Sequence, residues 1–149
     1  MNPFDLRAAL LAKHAQHVVL IHFPIALFIA GVIFDFLAQS TKRRALATVA
    51  YYNLLGAAIS AVPVVITGLL AWQYQLDGQR LKGILLMHLV LGSTSAVLIW
   101  LAWGLHFRAG RQTAGRIPVF RLGLETLAVA VVALTGHLGG FLSGVNGPN

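Results

Sequence analysis

Long apolar stretches dominate the chain and are separated by short polar segments. Four of them are long enough to cross a bilayer, at about 18–38, 49–72, 83–105 and 122–143. A hydrocarbon core of about 30 Å needs roughly 20 consecutive apolar residues in a helix. The pattern therefore predicts four transmembrane helices.

The polar connectors between these stretches are short. They lie near residues 40–44, 74–82 and 106–121. Short connectors make consecutive helices antiparallel neighbours. The prediction is an all-α integral membrane protein, an up-down bundle of four transmembrane helices, formed by a single domain over residues 1–149.

Composition supports the membrane class and excludes several functions. Apolar residues make up 58% of the chain and charged residues 10%, whereas soluble domains carry about 25% charged residues. The chain has no cysteine, which excludes disulfides, thiolate metal sites and covalently attached c-type haem. The net charge of +7 is divided among short runs between apolar stretches. These runs are better explained as topology signals than as a surface that binds nucleic acid.

The charges of the connectors predict an orientation. Two connectors carry basic residues and no acid, namely Lys42, Arg43, Arg44, Arg108, Arg111, Arg116 and Arg121. The opposite side has Arg7, Lys13, Arg80 and Lys82, offset by Asp5 and Asp77. The positive-inside rule then predicts a multi-pass protein of the bacterial inner membrane with both termini in the periplasm.

Histidines inside the apolar stretches are the main candidates for chemistry, because ionisable residues are costly within a bilayer. The up-down topology places His22, His88 and His137 at one depth, roughly 6–9 Å below the outer surface at 1.5 Å per residue. His17 lies just above them. Three helices thus bring imidazoles to one level, as a metal site requires.

Neutral imidazole ligates haem iron, copper, zinc and non-haem iron. The pattern favours haem b, because no carboxylate or thiolate lies near that level to balance a bare cation and because paired histidines hold haem in helical bundles. Gly92, Gly139 and Gly140 lie close to the histidines in sequence and would let a flat macrocycle approach the backbone. The alternative is that small residues only allow close helix packing.

The pairing of the ligands is open at this point. Diagonal placement of the first and third helices favours His22 with His88. His137 and His17 would then form a second ligand pair that binds a second haem. Alternatively, these two histidines would lie around the first haem without binding its iron. His17 and His22 are about 140° apart around a helix, so they should not share one iron. The alternative is a hydrogen-bonded polar cluster that holds helices together.

Other polar residues lie towards the cytoplasmic side. Asp35 and Glu125 could form a proton entry path or a quinone pocket. Pairing of these carboxylates with an interfacial arginine, namely Arg121, Arg44 or Arg108, is the favoured alternative. Isolated interfacial histidines, namely His14 and His106, are predicted to be solvated or to face lipid.

A resemblance to a known family rests on the opening HxxxxHFPI motif, a histidine in the third span and a C-terminal HxGG motif. The matching positions are His17, His22, Asp35, His88, His137, Gly139 and Gly140. Over nearly its whole length the chain resembles the bacterial four-span membrane family of domain of unknown function 2231. Some relatives are fused or adjacent to c-type cytochrome modules, which implies redox work at the outer face.

The leading hypothesis is a membrane b-type cytochrome that transfers electrons at the periplasmic face. It would connect a periplasmic partner, such as a cytochrome c, with the quinone pool. It would be part of a hetero-oligomeric complex or a homodimer, and an electron-transfer subunit of an oxidoreductase complex is favoured over a stand-alone enzyme. The alternatives are a structural or assembly subunit without redox function and a protein that handles metal ions. The absence of cysteine and the presence of only two methionines argue against copper transport.

Overall fold

A computed structural model describes residues 15–111 and 120–144, and the described residues contain helices and turns but no strand. The helices are α1 (Ala15–Leu20), α2 (His22–Thr41), α3 (Arg44–Leu70), α4 (Gly83–Arg111) and α5 (Phe120–Leu142), with a π-helical turn at Ala71–Gln75. They form four membrane spans, Gln16–Thr41, Arg44–Tyr74, Gly83–Ala109 and Phe120–Leu142. The prediction of an all-helical protein with four spans is confirmed.

The first span contains a break between α1 and α2. Pro24 has no N–H to donate to the carbonyl of Leu20, so one helical hydrogen bond is missing. The chain nevertheless continues in the same direction, because the Ile21 N–H donates to the carbonyl of His17 at 3.0 Å. His17 therefore lies in the first turns of the same span as the residues that follow Pro24.

The helices extend beyond the apolar segments at one end of the bundle. The third span was expected to end near residue 105, but α4 continues to Arg111. The fourth was expected to begin near 122, but α5 begins at Phe120. His106 and Arg121 therefore lie within helices and not in a connector.

The spans pack as two helical hairpins. The first hairpin contains the first and second spans, and the second hairpin contains the third and fourth. The second span also packs on the third, and the fourth on the first, which leaves the first and third spans on a diagonal. The shared core is formed by Phe28, Val32, Leu54, Ala57, Ala58, Ile99, Ala102, Ala128 and Val132. Most other large apolar side chains point outward, where they contact lipid.

The two ends of the bundle differ in chemistry. We call the end with His17 and His88 the histidine end, and the end with Asp35 and His106 the ion-pair end. His88 and His106 both lie on α4, eighteen positions apart, which corresponds to about 27 Å along a helix.

A glycine allows the helices of the first hairpin to approach closely. A Cβ at Gly31 would lie 2.9 Å from Leu54 Cγ and 3.2 Å from the backbone nitrogen of Leu54. We expect Gly31→Val to destabilise the bundle by about 1–3 kcal/mol through overpacking. Thermal unfolding in one detergent would measure the effect. Gly123→Ala is the control, because a Cβ there meets nothing within 4 Å, and an unchanged Gly31→Val variant would contradict this account of the packing.

Candidate functional site

Two histidines from the diagonal spans meet at the histidine end. The ring centroids of His17 and His88 are 6.4 Å apart, and the ring planes are nearly perpendicular at 89°. His17 belongs to the first hairpin and His88 to the second. The pair is therefore formed only when the two hairpins pack together.

The second span fixes the orientation of His17. Its Nδ1 lies 3.1 Å from the carbonyl oxygen of Val64 and 3.3 Å from Thr67 Oγ1. The imidazole also lies against Gly68, where an added Cβ would come within 2.9 Å of His17 Cε1. Only a residue without a side chain leaves room for the ring in this position.

The fourth span holds His88 in the same manner. His88 Nδ1 lies 3.1 Å from the carbonyl oxygen of Thr135, and a Cβ on Gly139 would lie 3.1 Å from His88 Cε1. In both hairpins the carbonyl and the glycine are four residues apart, Val64 with Gly68 and Thr135 with Gly139. The two hairpins thus present their histidines by the same device.

These hydrogen bonds decide which nitrogen of each ring can bind a metal. A carbonyl oxygen only accepts hydrogen bonds, so each Nδ1 carries a hydrogen and donates it. A neutral imidazole that donates from Nδ1 has its lone pair on Nε2. Histidine ligands of metals usually have this arrangement, in which the other ring N–H is bound to a carbonyl or carboxylate that fixes the ring.

The separation of the rings is suited to ligands on opposite sides of one metal. A ring nitrogen lies about 1.2 Å from the ring centre and a metal–imidazole bond is about 2.0–2.1 Å, so two opposite imidazoles have centroids about 6.4 Å apart. The observed distance between His17 and His88 is 6.4 Å. Two histidines that held one haem between them would have this separation, so the distance between the rings is compatible with haem binding.

The other predicted ligands lie on the surface of the bundle. The His22 side chain is exposed, and its Nδ1 lies 3.4 Å from the carbonyl of Val19 in its own span. The His137 side chain is also exposed, and its ring lies edge-on against Phe141. The geometry therefore favours His17, and not His22, as the partner of His88.

The predicted glycines have different surroundings. Gly139 lies against the His88 imidazole, whereas a Cβ on Gly92 would meet only Thr135 Cγ2, at 3.7 Å. The carbonyl of Gly140 accepts a hydrogen bond from Ser143 Oγ. Gly139 thus leaves the space that the His88 ring occupies. The approach of a macrocycle to Gly92 and Gly140 stays a prediction.

A buried polar cluster occupies the ion-pair end. Arg121 Nη2 donates to both carboxylate oxygens of Asp35, at 2.8 and 2.6 Å. His106 Nε2 lies 2.9 Å from Glu125 Oε1 and 3.9 Å from Asp35 Oδ2. Arg121 Nε lies 3.5 Å from Glu125 Oε1. We call these four residues the ion-pair cluster, and it links the first, third and fourth spans.

The cluster confirms one expectation and corrects another. Asp35 pairs with Arg121, which confirms the expectation that this carboxylate pairs with an arginine. The other two candidate arginines, Arg44 and Arg108, are exposed. The expectation that His106 is solvated or faces lipid is wrong, because only 6% of its surface is exposed. It was assigned to a connector, but α4 continues through it. His14 lies outside the described residues.

One sequence signal could have revealed the missed members. Arg121 and Glu125 are four residues apart, so a helix that includes both puts them on one face. The predicted start of the fourth span at 122 separated them.

Comparison with known proteins identifies the family. The model of the predicted membrane protein family DUF2231 matches residues 13–147, and the chain belongs to this family. Neither the curated proteins nor the solved structures contain a match.

Arg121 is the cation on which the ion-pair cluster depends. Arg121→Gln would leave the carboxylates of Asp35 and Glu125 buried without it. Removal of one partner from a buried ion pair costs about 3–5 kcal/mol, and we expect a loss of this size in thermal unfolding at neutral pH. Arg108→Gln, an exposed arginine at the same end, should change stability by less than about 0.5 kcal/mol. Equal effects of the two variants would contradict the assigned role.

Proposed function

We propose, from membership of this membrane-protein family and from the histidine pair, that the chain is a haem b-binding subunit of a membrane electron-transfer complex. The observation that carries the proposal is the 6.4 Å separation of the His17 and His88 rings, each with Nδ1 fixed by a backbone carbonyl. One haem is proposed, because His17 and His88 would hold the same iron.

The ring separation supports haem better than a bare metal ion. Two imidazoles bound to a tetrahedral ion such as Zn²⁺ would have centroids about 5.2 Å apart, since the ligands then meet at about 109° instead of 180°. The wider separation of His17 and His88 suits opposite ligands.

The chain's own residues would set the properties of the site. Bound haem supplies one-electron redox chemistry, with a potential that depends on its ligands, their hydrogen bonds and its burial. The carbonyls of Val64 and Thr135 hold the two rings and make the ligating nitrogens more basic. Gly68 and Gly139 provide the space into which the rings fit.

The connector charges support a periplasmic position for the histidine end, in a bacterial inner membrane. The proposed partners are a periplasmic redox protein, such as a c-type cytochrome, and the quinone pool, within a hetero-oligomeric complex or a homodimer. A single haem at one end favours lateral transfer near the outer surface over transfer across the bilayer. A quinone pocket at Asp35 and Glu125 is not included, because Arg121 and His106 already contact these carboxylates.

Alanine variants of the histidines test the ligand assignment. Protein produced with a supply of haem and purified in detergent should show the reduced-minus-oxidised spectrum of haem b with two histidine ligands. His17→Ala and His88→Ala should abolish that spectrum, because each leaves the iron with one axial ligand. His22→Ala is the matched control from the same span and should retain it.

Two results would oppose this assignment. A folded wild-type protein that binds no haem would overturn the proposed function in favour of a structural role. Loss of the spectrum in His22→Ala together with its retention in His17→Ala would reject the proposed ligand pair.

Two glycines of the fourth span provide a test that leaves every histidine in place. Gly139→Val should displace the His88 ring and lower the haem content at least several-fold, because a Cβ there would lie 3.1 Å from the ring. Gly136→Val is the control, since a Cβ at this position meets nothing within 4 Å. Haem absorbance per protein would measure the difference, and equal haem content in the two variants would argue against Gly139 as a support for the ligand.

A further inference from the structure

The ion-pair cluster has no part in the proposed electron transfer, yet it is the most deeply buried polar group in the described structure. Its members come from three spans, and their exposed fractions are 1% for Asp35, 6% for His106, 1% for Arg121 and 0% for Glu125. Ionisable residues at such positions in membrane proteins usually mark a function.

The charges of the cluster do not balance. With two carboxylates, one guanidinium and a neutral imidazole, the sum is one negative charge. An unbalanced charge is costly inside a bundle that lipid surrounds. One additional positive charge would make the cluster neutral.

We propose that the ion-pair cluster is a proton-binding site that holds one proton between His106 and Glu125 and exchanges it with water at the ion-pair end. His106 Nε2 lies 2.9 Å from Glu125 Oε1. At this distance the two side chains can form a hydrogen bond with the proton on either the imidazole or the carboxyl group. Asp35 stays ionised beside Arg121, because both of its oxygens accept hydrogen bonds from the guanidinium. No titratable group of the second span takes part in the described contacts of the cluster.

A divalent cation is the main competing occupant. Asp35, His106 and Glu125 each offer a ligand atom, and these atoms lie within 4.8 Å of one another. However, Arg121 already provides a cation next to both carboxylates, with Nη2 2.6 Å from Asp35 Oδ2 and Nε 3.5 Å from Glu125 Oε1. A divalent ion would leave one excess positive charge, whereas a single proton leaves none. The charge balance therefore favours the proton.

Buried polar atoms without partners provide a second, independent observation. Glu125 Oε2 and Arg121 Nη1 are buried and have no hydrogen-bond partner within the part of the chain that the structure describes. One is an acceptor and the other a donor, and water can satisfy both kinds of atom. A water molecule bound to Glu125 Oε2 or Arg121 Nη1 would deliver or remove the proton.

A groove lies between α4 and α5 at the ion-pair end. It has a volume of about 350 Å³, and Gly104, Leu105, Arg108 and Leu124 are among its lining residues. The four residues of the ion-pair cluster do not line it, so the proposed proton exchange rests on the buried polar atoms without partners.

The pH dependence of stability tests the proposal on the full chain in detergent. Above about pH 6.5 the unfolded chain releases this proton, because histidine and glutamate side chains in an unfolded chain are then deprotonated. Stability should therefore fall as pH rises from about 6.5 to the pH at which the folded cluster releases the proton, and within that range the unfolding equilibrium should change by about tenfold per pH unit. Glu125→Gln makes the cluster neutral without a proton and should remove this dependence. Asp77→Asn, which removes an exposed acid from a connector, is the control and should retain it.

Other outcomes decide against the proposal. Equal pH dependence in the wild type and Glu125→Gln would overturn it. So would a rise in melting temperature with added Mn²⁺ or Zn²⁺ that Glu125→Gln abolishes, since the site would then bind a metal cation. If Glu125→Gln does not fold, Asp35→Asn serves instead, because it also leaves one carboxylate with one guanidinium and should lose the dependence. The pH test does not involve haem, so loss of haem in His88→Ala would not affect its result. The haem proposal and the proton proposal can therefore fail separately.

Discussion

The bilayer requires each buried polar group to find its partner within the bundle, and the rest of the structure follows from this constraint. The middle of the bundle meets it with small and apolar side chains such as Ala57, Ala58 and Ala102. The polar groups are confined to two levels, one near each end. At each level they link different helices, so the partners that satisfy them also determine which helices are neighbours.

The two ends meet the same constraint by different chemistry. At the histidine end, neutral imidazoles bind backbone carbonyls of the neighbouring helix, and no charge has to be balanced. At the ion-pair end, Asp35 and Glu125 require the guanidinium of Arg121. A neutral level with two opposed imidazoles is suited to a cofactor, whereas a charged level with one uncompensated carboxylate is suited to a proton.

Hydropathy was sufficient to predict the four spans, because a span depends only on the length and apolar composition of a segment. It could not predict which way a side chain points around the helix, and for this reason His22 was preferred to His17. Hydropathy also failed where a helix extends beyond its apolar segment. For this reason His106 and Arg121 were predicted to lie in a connector. The glycine partners, Gly68 and Gly139, depend on contacts between helices that a single sequence does not reveal.

The third span connects the two levels, because α4 carries both His88 and His106. At a separation of about 27 Å, two unit charges interact by only about 0.6 kcal/mol with an effective dielectric constant of about 20. A charge change at the histidine end would therefore alter proton binding at the ion-pair end by less than about threefold through space. Stronger coupling would need movement of the first or the third span, since each contributes one side chain to the histidine pair and one to the ion-pair cluster. The constraint that confines polar groups to the two ends would thus also keep the proposed electron transfer and the proposed proton binding apart.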